Sequence, residues 1–307
     1  MSEYTKRALS FEDQADQLLE RGLIADRDEL ILRLRAVSYY RLAGYFHPFR
    51  ELDATSMATD RFKEGANLKT VWERYCFDRR LRVAVLDAIE RIEVSVRTKL
   101  VFHFSHAYGP FGYCEEANLP KLKVNEYLEW RTALQEETGR SKETFKKHFF
   151  DKYGDHHNNL PLWMIGELMS MGSLLTFFKG VSPDLKRKVA EEYRVPDEVL
   201  MSWLRSLNGV RNICAHHSRF WNRILGYPPQ LPHSRKFPEW HGEDKLPNDR
   251  CGIMLFIIRY FLRLIDPASH WHERVETLME KYPEIPRSSM GLSDNWKEHP
   301  IWRSSKP

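Results

Sequence analysis

The residues best suited to chemistry lie in one short run, Val210-Arg211-Asn212-Ile213-Cys214-Ala215-His216-His217-Ser218-Arg219-Phe220-Trp221-Asn222. Arg211 is permanently cationic and forks onto phosphate oxygens. His216, five positions on, gives and takes protons near neutral pH. An imidazole can take the proton from a ribose 2′-OH or return one to a departing 5′ oxygen. A guanidinium can hold the charge that builds on the phosphorus oxygens in the transition state. The pair therefore suits metal-independent cleavage of RNA to a 2′,3′-cyclic phosphate and a 5′-hydroxyl end, and DNA, lacking the 2′-OH, is expected to be inert. The Asn212 amide can orient His216 or a phosphate oxygen. His217, Arg219 and Asn222 are read as supporting or RNA-binding groups, with Arg219 either gripping phosphate or bracing the fold.

Geometry complicates this arrangement. Each residue of an undistorted helix turns about 100°, so Asn212 and His216 share a face while Arg211 and His216 diverge by roughly 140°. Either the helix bends or ends inside the motif, or two copies of the chain complete the site. The helix that presents the motif is expected to open at Pro196-Asp197-Glu198, with Asp197 as its cap, and to bury Val199, Leu200, Trp203, Leu207 and Val210. The longest helical signal runs from Leu68 to Ser105, where Leu81, Val85, Ile89, Ile92, Val96 and Leu100 form one apolar stripe. Beside it run Glu90, Glu93 and Arg97. Glu93 and Arg97 are an i,i+4 pair in the favourable order. They are either a solvated salt bridge or a pair that faces the motif helix and orients Arg211 or His216.

Arg211-Asn212-x-x-x-His216 resembles the Rx4-6H signature of HEPN-domain ribonucleases. The longer string RNICAHHSRFWNR, from Arg211 to Arg223, resembles the version carried by the Abi (abortive infection) phage-resistance family. Two further stretches are similar to that family: Tyr39 to Phe49 resembles its YYRLxGYxxxF segment, and Met290 to Trp302 resembles its MGFxxxWxxxxxW ending, with Leu292 at the phenylalanine position. The resemblance implies a HEPN-like helical bundle, a homodimer whose two motifs face each other across a cleft, catalytic roles for Arg211, Asn212 and His216, and, in some members, a bound small non-coding RNA.

The remaining chain reads as scaffold. Ser10 with Asp13, and Asp26 with Glu29, mark the starts of two short helices joined near Gly22, a hairpin of generic helix-turn-helix shape. Five aromatics between Tyr39 and Phe49 are expected to be core rather than a base-stacking platform. Residues 51 to 66 read as loop. Helices are expected at Glu126 to Glu137, Glu143 to Phe150 and Lys186 to Arg194, and a buried Met-rich helix over Leu162 to Phe178, broken near Gly172. Residues 227 to 249 contain five prolines and are either a structural loop or a lid that brings Arg235 and Lys236 to RNA. Cys251 to Leu264 is a further buried helix, and the tail with Trp296 and Trp302 is expected to dock on the body. No segment shows strong strand alternation, so the fold expected is all-α: a hairpin and aromatic segment over 1–66, a HEPN-like helical domain over 67–266, and a terminal helix and tail over 267–307.

Composition sets the outer limits. The 307 residues are 42% hydrophobic and 29% charged, ordinary for a globular protein. With 47 Lys and Arg against 43 Asp and Glu, a nucleic-acid footprint would be a local patch, not a global excess. The four cysteines are scattered without a CxxC pair, so neither a zinc ribbon nor a disulfide framework is indicated, and reduced thiols in the cytoplasm are the simplest reading. No signal peptide or membrane span is expected, and no cofactor. A metal hydrolase built on His103, His106 and Cys114 lacks a helpfully placed carboxylate. A non-catalytic RNA-binding or scaffold protein, with Arg211 and His216 only gripping phosphate, stands as the alternative to a ribonuclease.

Overall fold

The computed structural model describes residues 7–242 and 246–303. The first six residues, three positions of the proline-rich 227–249 stretch and the last four of the tail fall outside them. By internal contacts the chain divides into two compact units, one of residues 1–81 with 277–285, the other of 82–276 with 286–307.

In the first unit, local capping chemistry sets the helices. The Ser10 hydroxyl accepts from the Asp13 N–H at 3.0 Å while the Asp13 carboxylate takes the Ser10 N–H, and this box opens α1, Phe11–Glu20. Gly22, at φ +96°, closes it in the left-handed region. Asp26 accepts from the Glu29 N–H at 2.8 Å and opens α2, Arg27–Val37. Tyr39–Phe46 forms α3, whose Tyr45 hydroxyl donates to the buried Asp78 carboxylate at 2.5 Å. Of the five aromatics in that segment only Tyr40 is exposed, so the segment is core. The polar stretch that follows is not loop alone. Arg50–Leu52 (β1) pairs antiparallel with Ala58–Phe62 (β2) across a turn in which the Asp53 carboxylate accepts from the N–H groups of Thr55 and Met57. Helix α4, Leu68–Tyr108, starts in this unit and continues into the second.

In the second unit the α4 stripe is buried as its spacing requires: Leu81 in the first unit leads into Val85, Ile89, Ile92, Val96 and Leu100, and Phe104 extends the row. Helices α5 (Val124–Arg140) and α6 (Thr144–Tyr153) follow. The Met-rich run is two helices, α7 (Leu162–Ile165) and α8 (Met171–Gly180), and the break falls at Met169-Ser170 rather than at Gly172. Ser170 is extended and its hydroxyl accepts from the Ser173 N–H at 3.2 Å, so a cap, not a glycine, interrupts the run. Next come α9 (Pro183–Glu191) and the motif helix α10 (Asp197–Ala215), whose cap is Pro196, with Asp197 already in the first turn.

Helix α11, Cys251–Ile265, is buried from Cys251 to Arg263. Helix α12 (Trp271–Lys281) and the short α13 (Pro300–Arg303) complete the order. The tail docks on this unit: Trp296, Ile301 and Trp302 are buried, Arg263 donates to the Ile301 carbonyl at 3.2 Å, and Trp302 donates to Glu276 at 2.7 Å. Thirteen α-helices, seven short 3-10 helices and one two-stranded sheet make up the described regular structure, an all-α fold. Among the described residues no helix is long and apolar enough to cross a membrane.

Candidate functional site

The motif sits at the C-terminal end of α10, and packing fixes that end from both directions. Upstream, Val199, Trp203, Leu207, Val210 and Cys214 recur at helical spacing on the buried face. Trp203 Nε1 donates to the Gln230 carbonyl at 2.8 Å, and Ser206 Oγ to the Tyr227 carbonyl at 2.7 Å. Downstream, Phe220 and Trp221 are buried, and Cys251 Sγ donates to the Trp221 carbonyl at 2.6 Å. Between these anchors the helix stops inside the motif. His216 is its cap, with N–H bonded to the Asn212 carbonyl at 3.0 Å.

The stop is a Schellman turn without glycine. Ser218 N–H reaches the Ile213 carbonyl at 2.9 Å, and His217 N–H the Cys214 carbonyl at 3.0 Å. His217 takes the left-handed position at φ +57° that glycine usually fills. Left-handed backbone costs roughly 1–2 kcal/mol for most residues and less for Asn, Asp and His. His217→Val is accordingly expected to lower stability by about 1–2 kcal/mol, while His217→Asn stays near wild type; thermal melts of the two variants check this.

Arg211 is half-buried, whereas Asn212, His216 and His217 are exposed. The Glu93 carboxylate lies within electrostatic reach of Arg211. Arg97 donates to Glu93 at 2.7 Å and to the Met169 carbonyl at 3.0 Å, so the α7–α8 break supplies the third wall. With side-chain exposures of 11% and 15%, Arg97 and Glu93 are not a solvated surface pair. Burial pushes the Glu93 carboxyl above its ordinary range, against the pull of Arg97 and then of Arg211.

The sign of that shift gives a second prediction. A carboxyl whose folded pKa is raised opposes folding once it is ionised, and this cost vanishes as pH falls below its ordinary 4.5. Glu93→Gln should therefore raise the thermal midpoint at pH 7. The gain should close as pH falls toward 4.5, and a wild-type midpoint higher than the variant's at neutral pH would refute the assignment.

The structure thus pairs Glu93 with Arg97, with Glu93 in electrostatic reach of Arg211, and leaves Asn212 and His216 at the solvent-facing end of α10. Among the described residues the His216 ring has no hydrogen-bond partner in the chain. Arg219 is off the helix; its carbonyl accepts from Arg223, and Asn222 beside the buried Trp221 is half-buried. Arg235 and Lys236 are exposed in a turn of the proline-rich stretch, and no described contact joins either to the motif. That stretch is tied down over its described length: Gln230 N–H bonds Ser202, Asn248 bonds the Pro229 carbonyl, His241 contacts the Pro232 carbonyl, and Trp240 is buried against Trp203. His103 contacts Glu192 and His106 the Phe102 carbonyl; no cluster of three His, Cys, Asp or Glu among the described residues could hold a metal ion. The Met169 carbonyl carries no sequence signal and becomes visible only once the helix break is known.

The profile of the family described as Abi-like protein matches residues 33–222, so the chain belongs to that family. No curated protein and no solved structure matches it.

Proposed function

We propose that this protein is a metal-independent endoribonuclease; the name of the Abi-like family supports the setting, anti-phage defence, and the chemistry is our reading of the motif. The observation that carries the reading is the end of α10: an unpartnered, exposed His216 one turn beyond Asn212, with Arg211 in electrostatic reach of the Glu93 carboxylate. Neither Arg211 nor His216 is consumed by an interior contact. His216 moves the proton, Arg211 holds phosphate charge, and Asn212 orients one or the other. Because Arg211 and His216 leave the helix on different sides, two copies related by a two-fold axis complete the constellation, an isologous homodimer. The polypeptide acts in the cytoplasm on RNA and needs no cofactor.

The test is incubation of the purified protein with end-labelled RNA in EDTA. The expected products carry a 2′,3′-cyclic phosphate and a 5′-hydroxyl, and an all-deoxy strand of the same sequence stays intact. One observation favours a second reading, grip without cleavage. Glu93 offsets part of the Arg211 charge and would weaken it as a transition-state clamp. Under that reading RNA, a resident non-coding RNA included, is bound and recovered uncut.

A further inference from the structure

Arg97 has a second side. Along α4 past the Glu93 pair it borders an open groove of about 420 Å³, walled by Val101, Phe102 and His106 of α4 and by Trp163 and Glu167 of the α7 segment. Two large aromatics stand out of this wall into solvent, Phe102 at 55% and Trp163 at 51% exposure. His106 packs on Phe102 with ring centroids 4.1 Å apart and planes inclined at 43°, and its Nδ1 bonds the Phe102 carbonyl at 2.8 Å, so the His106 ring is fixed against Phe102. Gly166 lets the α7 segment approach closely; a Cβ there would meet Val101 at 3.1 Å. Ser105 Oγ, also in this wall, has no hydrogen-bond partner.

We propose that this groove is a nucleobase subsite, stacking a base of the same strand whose phosphate is held at Arg211 and His216. The proposal rests on the RNA reading above and adds to it where the strand runs. Continuity supports it: Arg97 lines the groove and donates to Glu93, whose carboxylate is in electrostatic reach of Arg211, so an ion pair links the groove to the motif. The chemistry fits a base. Exposed rings next to cations suit flat π-faces with a phosphate attached, and such stacking is sequence-tolerant. A second copy of the chain fits this patch poorly, because a stable interface covers about 800 Å² per partner and here the exposed apolar surface is two rings bounded by Thr98, His106 and Glu167.

The experiment uses the full-length protein, a short mixed-sequence RNA as substrate, and its fully 2′-O-methylated form as an uncleavable probe. Trp163→Ala is expected to raise KM and the probe's Kd about tenfold, within the range of one lost base stack, with kcat within about twofold of wild type. Trp163→Phe, which keeps a ring, should recover most of the loss, and Phe102→Ala should reproduce it. If wild type cleaves RNA and both alanine variants keep its KM and Kd, the groove proposal falls and the nuclease reading survives. If wild type binds the probe but never cleaves, and Trp163→Ala weakens binding, the groove stands and the nuclease reading falls. Loss of self-association in Trp163→Ala by sedimentation would make the groove a protein interface and overturn the proposal, as would wild type that does not bind the probe.

Discussion

His216→Ala is expected to slow RNA cleavage by about 100- to 10,000-fold, the span associated with losing a positioned acid–base group. The thermal midpoint should move little, because the ring is exposed and without a hydrogen-bond partner in the described chain. Arg211→Ala should cost a comparable factor, about 100- to 1,000-fold, by removing a donor aimed at developing phosphate charge. Its effect on stability differs, since it strips Glu93 of one of the two cations that favour its charge. The double variant Glu93→Gln/Arg211→Ala should then regain stability without regaining activity. That separation distinguishes a reacting group from a brace. Arg211→Lys should recover only part, because an ammonium cannot fork onto two oxygens. Cleavage at the wild-type rate by either alanine variant would sink the proposed mechanism.

The two-copy arrangement adds a consequence that a single-chain site lacks. Mixing the inactive Arg211→Ala and His216→Ala proteins under conditions of subunit exchange creates heterodimers. If the arginine of one copy works with the histidine of the other, one site of each heterodimer is intact and cleavage returns. If both groups come from one copy, the mixture stays dead.

Much of the positioning apparatus was legible in the sequence, because long amphipathic helices write their buried face as a period. The α4 stripe and the Val199-Trp203-Leu207-Val210 face of α10 are buried as spaced. The alternatives for Glu93 and Arg97 needed coordinates: an i,i+4 pair looks the same in a sequence whether it faces water or a neighbouring helix. The end of α10 was hidden for a specific reason. The expected stop signal is glycine, and His217 does that work instead. The hairpin of β1 and β2 was missed because strands this short carry too few residues to show alternation, and their turn is closed by an aspartate rather than an Asn-Gly pair. Trp163 misled in the opposite sense, standing half out of the protein within an otherwise apolar run.

Gly252→Ala should be strongly destabilising, because the added methyl has no room. Gly252 sits in the first turn of α11, where the docked tail crosses it: an added Cβ would lie 2.5 Å from the Met290 carbonyl oxygen and 2.7 Å from Leu292 Cδ2. The carbonyl belongs to backbone that cannot yield locally. Met290 begins the left-handed turn at Gly291, φ +77°, where a Cβ would in turn meet Arg250 at 2.8 Å. Overpacking of this kind costs about 1–3 kcal/mol or more, set against roughly 0.5–1 kcal/mol that alanine returns in a helix. The net is a loss on the order of 2 kcal/mol, several degrees in a chain of this size. Gly209→Ala in α10 is the matched control. There the new methyl meets only Tyr227 Cδ2 at an ordinary 3.5 Å, so the same chemical change should raise the midpoint slightly. The contrast tests tail docking directly, because a tail held loosely would swing aside and let both glycines accept the methyl with the same small gain. It also bears on the site: α11 begins at Cys251, whose thiol holds the Trp221 carbonyl just beyond the motif. Loosening α11 through Gly252 should therefore lower cleavage as well as stability, and a variant that melts early yet cleaves at full rate below its midpoint would show that the motif does not depend on that anchor.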